Sequence, residues 1–227
     1  MKKISIIIPV YNESDSILQL IIETEKFLKS KIEYELIIVD DGSVDETVNI
    51  LNKSKKNIKL ISNKKNLGQS KSLLNGIKNS SYDTVVTMDG DGQNNPSDIF
   101  SMIKLFFENN CDLVSGIRLK RRDNLIKIIS SRIANFVRSK YLNDECKDTG
   151  CALKVFKKNI FLSFPFFDGI HRFLPALFKG YGYCVQFIEV DHRHRIAGVS
   201  KYGTVNRLFK GLKDMYYVKK IIKKNLV

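Results

Sequence analysis

Short apolar runs rich in β-branched residues, each followed by a helical pattern, constrain this chain more than any other feature. Ile4–Pro9, Glu35–Val39, Ile58–Ser62, Thr84–Met88 and Asp112–Ser115 read as strands. Helical patterns run from about Ser14 to Lys29, from about Val44, over Gln69–Asn79 and over Pro96–Asn109. Strands and helices alternating at this spacing specify an α/β fold with a mostly parallel, doubly wound sheet. Such sheets gather binding groups at the carboxyl ends of their strands. The first four runs end on Tyr11-Asn12-Glu13, Asp40-Asp41, Asn63 and Asp89-Gly90-Asp91.

The second half is less regular, and there charge is the informative quantity. The net charge is +14. Residues 118–140 and residues 201–227 each carry eight Lys/Arg against one acid, so these two segments hold the whole excess. Residues 123–140 place apolar side chains at 125, 126, 129, 133, 136 and 137, a helical period. Val205, Leu208, Phe209, Leu212, Met215, Tyr216 and Ile222 form a second stripe. Apolar stripes flanked by Lys and Arg suit the interface plane of an anionic membrane; both could instead pack on the domain core with their cations solvated, and the terminal stripe equally suits a dimer contact. No apolar stretch approaches the ~18 residues needed to span a bilayer, and Met1-Lys2-Lys3 does not open an export signal. Cys111, Cys146, Cys151 and Cys184 form no CxxC pair, which predicts buried free thiols in a reducing cytosol.

Asp89-Gly90-Asp91-Gly92-Gln93 follows a strand directly. Two carboxylates at i and i+2 with glycine between them can turn toward one hard cation, Mg²⁺ or Mn²⁺, which bridges well to diphosphate. Val39-Asp40-Asp41-Gly42-Ser43 offers carboxylates to a base or ribose, and equally forms a turn and helix cap. Pro9-Val10-Tyr11-Asn12-Glu13 sets an aromatic ring beside amide and carboxylate groups, as a nucleobase cleft requires. It also stands where a nucleotidyltransferase would need a glycine-rich basic loop. No nucleic-acid-binding module is present, so nucleic acid is not an expected partner.

Taken in order, Ile6-Ile7-Ile8-Pro9-Val10-Tyr11-Asn12-Glu13, Val39-Asp40-Asp41-Gly42-Ser43, Asn66-Leu67-Gly68 and Met88-Asp89-Gly90-Asp91-Gly92-Gln93 resemble family 2 glycosyltransferases. Pro96, Gly116-x-Arg118, Asp148-Thr149-Gly150-Cys151 and Arg195-x-x-Gly198-x-Ser200-Lys201 resemble the branch holding dolichyl-phosphate mannose synthase and bacterial polyprenyl-phosphate glycosyltransferases. The resemblance implies a GT-A, Rossmann-like domain over residues 1–201, with a basic interface helix at 118–140 and a basic amphipathic helix at 202–227. It further implies an inverting transfer from a nucleotide-sugar to a polyprenyl phosphate, with Mg²⁺ or Mn²⁺ as cofactor. By that resemblance Pro9, Tyr11, Asn12, Glu13, Asp40, Asp41, Asp89 and Gly90 line the donor cleft, and Asp89, Asp91 and Gln93 hold the metal. Arg118, Arg195, Ser200 and Lys201 take phosphate groups, while Asp91, Asp148 and Arg118 form the catalytic set. The alternative is a saccharide or lipid-linked saccharide acceptor, for which Asp148 would be the base. The expected setting is the cytoplasmic membrane face, peripherally bound, with a membrane-anchoring partner protein.

Overall fold

The computed structural model describes residues 2–29, 31–118, 135–194 and 204–225, the stretch 204–210 by its backbone. The expected alternation is present: β1 (Lys3–Val10), α1 (Ile17–Leu28), β2 (Glu33–Asp40), α2 (Thr47–Lys53), β3 (Lys59–Ser62), α3 (Gln69–Lys78), β4 (Thr84–Thr87), α4 (Asp98–Glu108) and β5 (Leu113–Arg118). A helix at 135–142, here α5, follows. Then come β6 (Lys154–Lys157), α6 (Lys158–Ser163), α7 (Leu174–Gly180), β7 (Val185–Val190) and α8 (Thr204–Asn225). Seven strands form one sheet in the order β3-β2-β1-β4-β6-β5-β7. All neighbours run parallel except β6, which is antiparallel to both β4 and β5.

The alternation of side chains along β1 builds the two faces of the core. Ile4, Ile6, Ile8 and Val10 pack with Ile17, Leu20 and Met102, under α1 and α4. Ile7 points the other way and joins Leu73, Leu74 and Ile77 of α3 with Phe156, Phe161 and Phe178. Helices therefore cover both faces, as a largely parallel sheet demands.

The terminal helix is docked on this core: Val218 and Ile222 are buried, while Leu212 and Tyr216 of the expected stripe are exposed. Gly180 explains the close approach, since a Cβ there would lie 2.6 Å from Ile222. The expected boundary near residue 201 and residues 119–134 of the expected interface helix lie outside the described residues.

Three thiols are buried as expected, but Cys184 is exposed. Burial, with a hydrogen bond to Cys184, pushes Cys111 up to about 11, and burial pushes Cys151 up to about 11. Burial also raises Cys146. Alkylation needs an accessible thiolate. Native protein treated with N-ethylmaleimide at pH 8 is expected to gain one adduct by mass spectrometry, on Cys184, and four only after denaturation.

Candidate active site

After β1 the chain moves outward to β2 and β3, then returns to β4 on the other side of β1. That reversal leaves a crevice between the carboxyl ends of β1 and β4, where α/β sheets bind ligands. A cavity of about 650 Å³ opens there, and Pro9, Tyr11, Glu13, Asp41, Asp89, Gly90, Asp91, Gln93 and Arg118 all line it.

The β1–α1 and β2–α2 loops hold each other in place. Asn12, at φ 53°, accepts the Val44 N–H on its side-chain oxygen at 2.9 Å. Its own N–H donates to Ser43 Oγ at 2.9 Å. The Glu13 N–H donates to Thr47 Oγ1, which in turn donates to Asp45 at 2.6 Å. Burial works against ionisation of Asp45, but hydrogen bonds from Thr47 and Ser14 outweigh it and hold this carboxyl below the usual range.

The two adjacent aspartates separate in role. Asp40 accepts the Ser43 N–H and is not among the residues on the cavity wall; Asn12 likewise stands behind the wall. Asp41 reaches the wall but accepts from Asn63 Nδ2 at 2.8 Å, Leu67 N at 2.9 Å and Gly68 N at 2.8 Å. It fastens the Asn66-Leu67-Gly68 turn to the site. Gly42 permits this contact: its φ is +76°, and a Cβ would lie 2.7 Å from the Lys65 carbonyl carbon.

Gln69, at the start of α3, donates to Asp89 Oδ1 at 2.8 Å. Ser16 Oγ donates to the Gly90 carbonyl at 2.9 Å. Asp91 accepts the Gln93 N–H at 3.1 Å, and the Gln93 carbonyl accepts the Arg193 N–H at 2.9 Å. The acidic turn is thus braced from three directions. Among the described residues, no three Cys, His, Asp or Glu side chains gather to enclose a metal alone. Two carboxylates on an open cavity nevertheless suit a hard cation that completes its oxygen shell from a diphosphate.

Across the cavity, Arg118 at the end of β5 grips Asp148 with both arms of its fork: Nε–Oδ2 is 2.7 Å and Nη2–Oδ1 is 2.8 Å. The Arg118 and Gly150 backbone N–H groups add bonds of 3.2 Å each. The Asp148 carboxylate accepts from these four N–H donors, an ion pair combined with a turn cap.

Several residues on the wall were not expected from the sequence: Gln69, Lys154, Asp168, His171, Arg172 and His192. Gln69 sits beside the Asn66-Leu67-Gly68 motif, and that adjacency was its only signal. His171 Nδ1 meets Ser70 Oγ at 2.7 Å, and Arg172 pairs with Asp214 of α8 at 3.1 Å. Arg195, Ser200 and Lys201 lie outside the described residues.

The family model described as Glycosyl transferase family 2 matches residues 5–163. The chain is 32% identical over 227 residues to a dodecaprenyl-phosphate galacturonate synthase of Rhizobium johnstonii, covering 95% of this chain and 66% of that one. It is 32% identical over 207 residues to an undecaprenyl-phosphate 4-deoxy-4-formamido-L-arabinose transferase of Yersinia enterocolitica, covering 89% of this chain and 63% of that one. It therefore spans just under two thirds of the length of these relatives. In fold it is similar to glucosyl-3-phosphoglycerate synthase of Mycobacterium tuberculosis, a structure solved with Mn²⁺, UDP and glucosyl-3-phosphoglycerate. The TM-score is 0.72 at 16% identity, over 96% of this chain and 78% of that one.

Proposed function

The chain belongs to glycosyl transferase family 2, and from that premise we propose that it transfers a sugar from a nucleotide-sugar to a polyprenyl phosphate at a membrane surface. The observation that carries this reading is the opening of the Asp89/Asp91 pair and of Arg118, itself paired with Asp148, onto one cavity. The nucleoside would lie over β1 and β2, between Pro9, Tyr11 and Glu13. Asp89 and Asp91, with Gln93, would hold Mg²⁺ or Mn²⁺ on the diphosphate. Bound there, the ion would neutralise charge growing on the leaving group. The relatives named above are polyprenyl-phosphate sugar transferases, and the solved structure contains Mn²⁺ and UDP; both support the reading.

In the reaction an acceptor phosphate oxygen bonds to the anomeric carbon as the bond to the donor β-phosphate oxygen breaks, and the nucleoside diphosphate leaves with the electron pair. A phosphate monoester has a second pKa of about 6 and arrives ionised. No base is needed, which agrees with an Asp148 occupied by Arg118. A saccharide hydroxyl would need a base, and the commitment of Asp148 disfavours that acceptor.

The decisive assay offers radiolabelled nucleotide-sugars, Mg²⁺ or Mn²⁺, and undecaprenyl phosphate in anionic vesicles. Metal-dependent label in the organic phase is expected. Label that passes only to a saccharide acceptor overturns the acceptor class.

The surface supports a peripheral site of action. Among the described residues no helix is long and apolar enough to cross a membrane. Phe136, Val137 and Tyr141 of α5 are exposed, as are Leu212, Tyr216 and Tyr217 of α8. Lys219 of α8 donates to the Tyr141 carbonyl at 2.9 Å, joining the two helices. Replacing Phe136 and Tyr216 together by Asp is expected to cut sedimentation with anionic vesicles roughly tenfold. Neutral vesicles and higher salt should weaken binding by the unaltered protein too.

A further inference from the structure

Lys154 is the first residue of β6. Because β6 runs against β4, its first residue lies at the rim where β4 ends, opposite Thr87. The residue lines the cavity, yet it is only 3% exposed. Among the described residues, its ammonium has one hydrogen-bond partner, the Cys151 carbonyl, and no carboxylate within ion-pairing distance. The start of the strand is fixed, since Thr87 Oγ1 donates to the Ala152 carbonyl at 2.7 Å.

A buried ammonium is costly unless an opposite charge meets it. The other cations on the wall already have theirs: Arg118 is paired with Asp148, and Arg172 with Asp214. Among the described residues no carboxylate answers the positive charge of Lys154, so this side of the cavity is suited to an entering anion. Asp89 and Asp91 stand on the β1–β4 side, where the donor diphosphate belongs; Lys154 and Arg118 stand on the β6–β5 side. In a displacement, the nucleophile approaches from the face opposite the leaving group.

We propose that Lys154 binds the monoester phosphate of the lipid acceptor and presents its ionised oxygen to the sugar. This rests on the reaction proposed above. No proton moves at Lys154; its charge holds the nucleophile until the new carbon–oxygen bond forms.

The test is Lys154→Met, which keeps the length and removes the charge. In the vesicle assay the acceptor KM is expected to rise at least tenfold, with the donor KM within twofold of the unaltered enzyme. The melting temperature should hold or rise, since a buried charge has been replaced by an apolar group of similar volume. A second arm needs no turnover: calorimetric titration of farnesyl phosphate, a water-soluble isoprenyl monophosphate, into both proteins. Binding lost in the variant supports the site even if no donor supports transfer, in which case the proposed reaction fails and the phosphate site stands. Equal binding of farnesyl phosphate by both proteins overturns the inference. So does a fall in melting temperature with donor and acceptor terms damaged alike, which marks a merely structural lysine.

Discussion

Asp91→Ala is expected to lower sugar transfer by about 10²–10³-fold while leaving the protein folded. Asp91 is buried at the cavity wall and braces the acidic turn through the Gln93 N–H. Loss of a hydrogen bond such as this one costs about 1 kcal/mol, small against the stability of a domain of this size. Its larger effect is on the charge developing at the leaving diphosphate, where one well-placed stabilising group is worth about 10²–10³ in rate. Asp89→Ala should behave alike, with the added release of Gln69 from its 2.8 Å contact. Transfer measured across a Mn²⁺ titration, beside a thermal melt, checks both halves. Activity within tenfold of the unaltered enzyme at saturating metal would remove this pair from the chemistry.

The largest loss of stability is expected at a residue away from the catalytic turn. Asp144 is fully buried and bonded to Arg138 Nη1, and it also accepts the Cys146 N–H at 3.0 Å. Arg138 Nη2 donates to the Cys146 carbonyl at 2.6 Å. Asp144→Ala strands the guanidinium in the interior, and breaking a buried pair from one side costs about 3–5 kcal/mol. For a chain of this length each kcal/mol shifts the melting temperature by about 2–4 °C, so a fall of roughly 10 °C is expected by calorimetry. Replacing Arg138 and Asp144 together by Leu should restore much of that loss. The pair ties α5 to the loop that leads into Asp148, so transfer should fall as well. A melting temperature lowered by less than 3 °C would contradict the account.

The start of the chain was legible because β1 and β2 are eight-residue β-branched runs with long buried stretches. The second half hides its strands. β6 is only four residues, Lys154-Val155-Phe156-Lys157, with a charge at each end. β7 is an edge strand whose side chains are mostly half-buried, so no clean alternation marks it. α7 is seven residues and buried along five of them, leaving no amphipathic period to detect. The acidic turn was readable because carboxylates directly after a strand have few other uses. Asp40 and Asp41 looked equivalent in sequence, and only tertiary contacts with Asn63, Leu67 and Gly68 separate them. Lys154 was invisible for the opposite reason: a lysine beside an apolar run reads as solvent-facing until a strand direction buries it.

The reversed direction of β6 has a consequence for how such enzymes diversify. β5 ends and β6 begins at the same rim, so the connection between them starts and finishes at one end of the sheet. Insertions, deletions or wholesale exchange of that excursion would leave the strand order and the β1–β4 crevice intact. On the reaction proposed above, the half assigned to the donor and the half assigned to the acceptor would then be able to change separately. A chimera carrying a relative's excursion between Arg118 and Lys154 should keep its nucleotide preference while adopting the relative's choice of lipid.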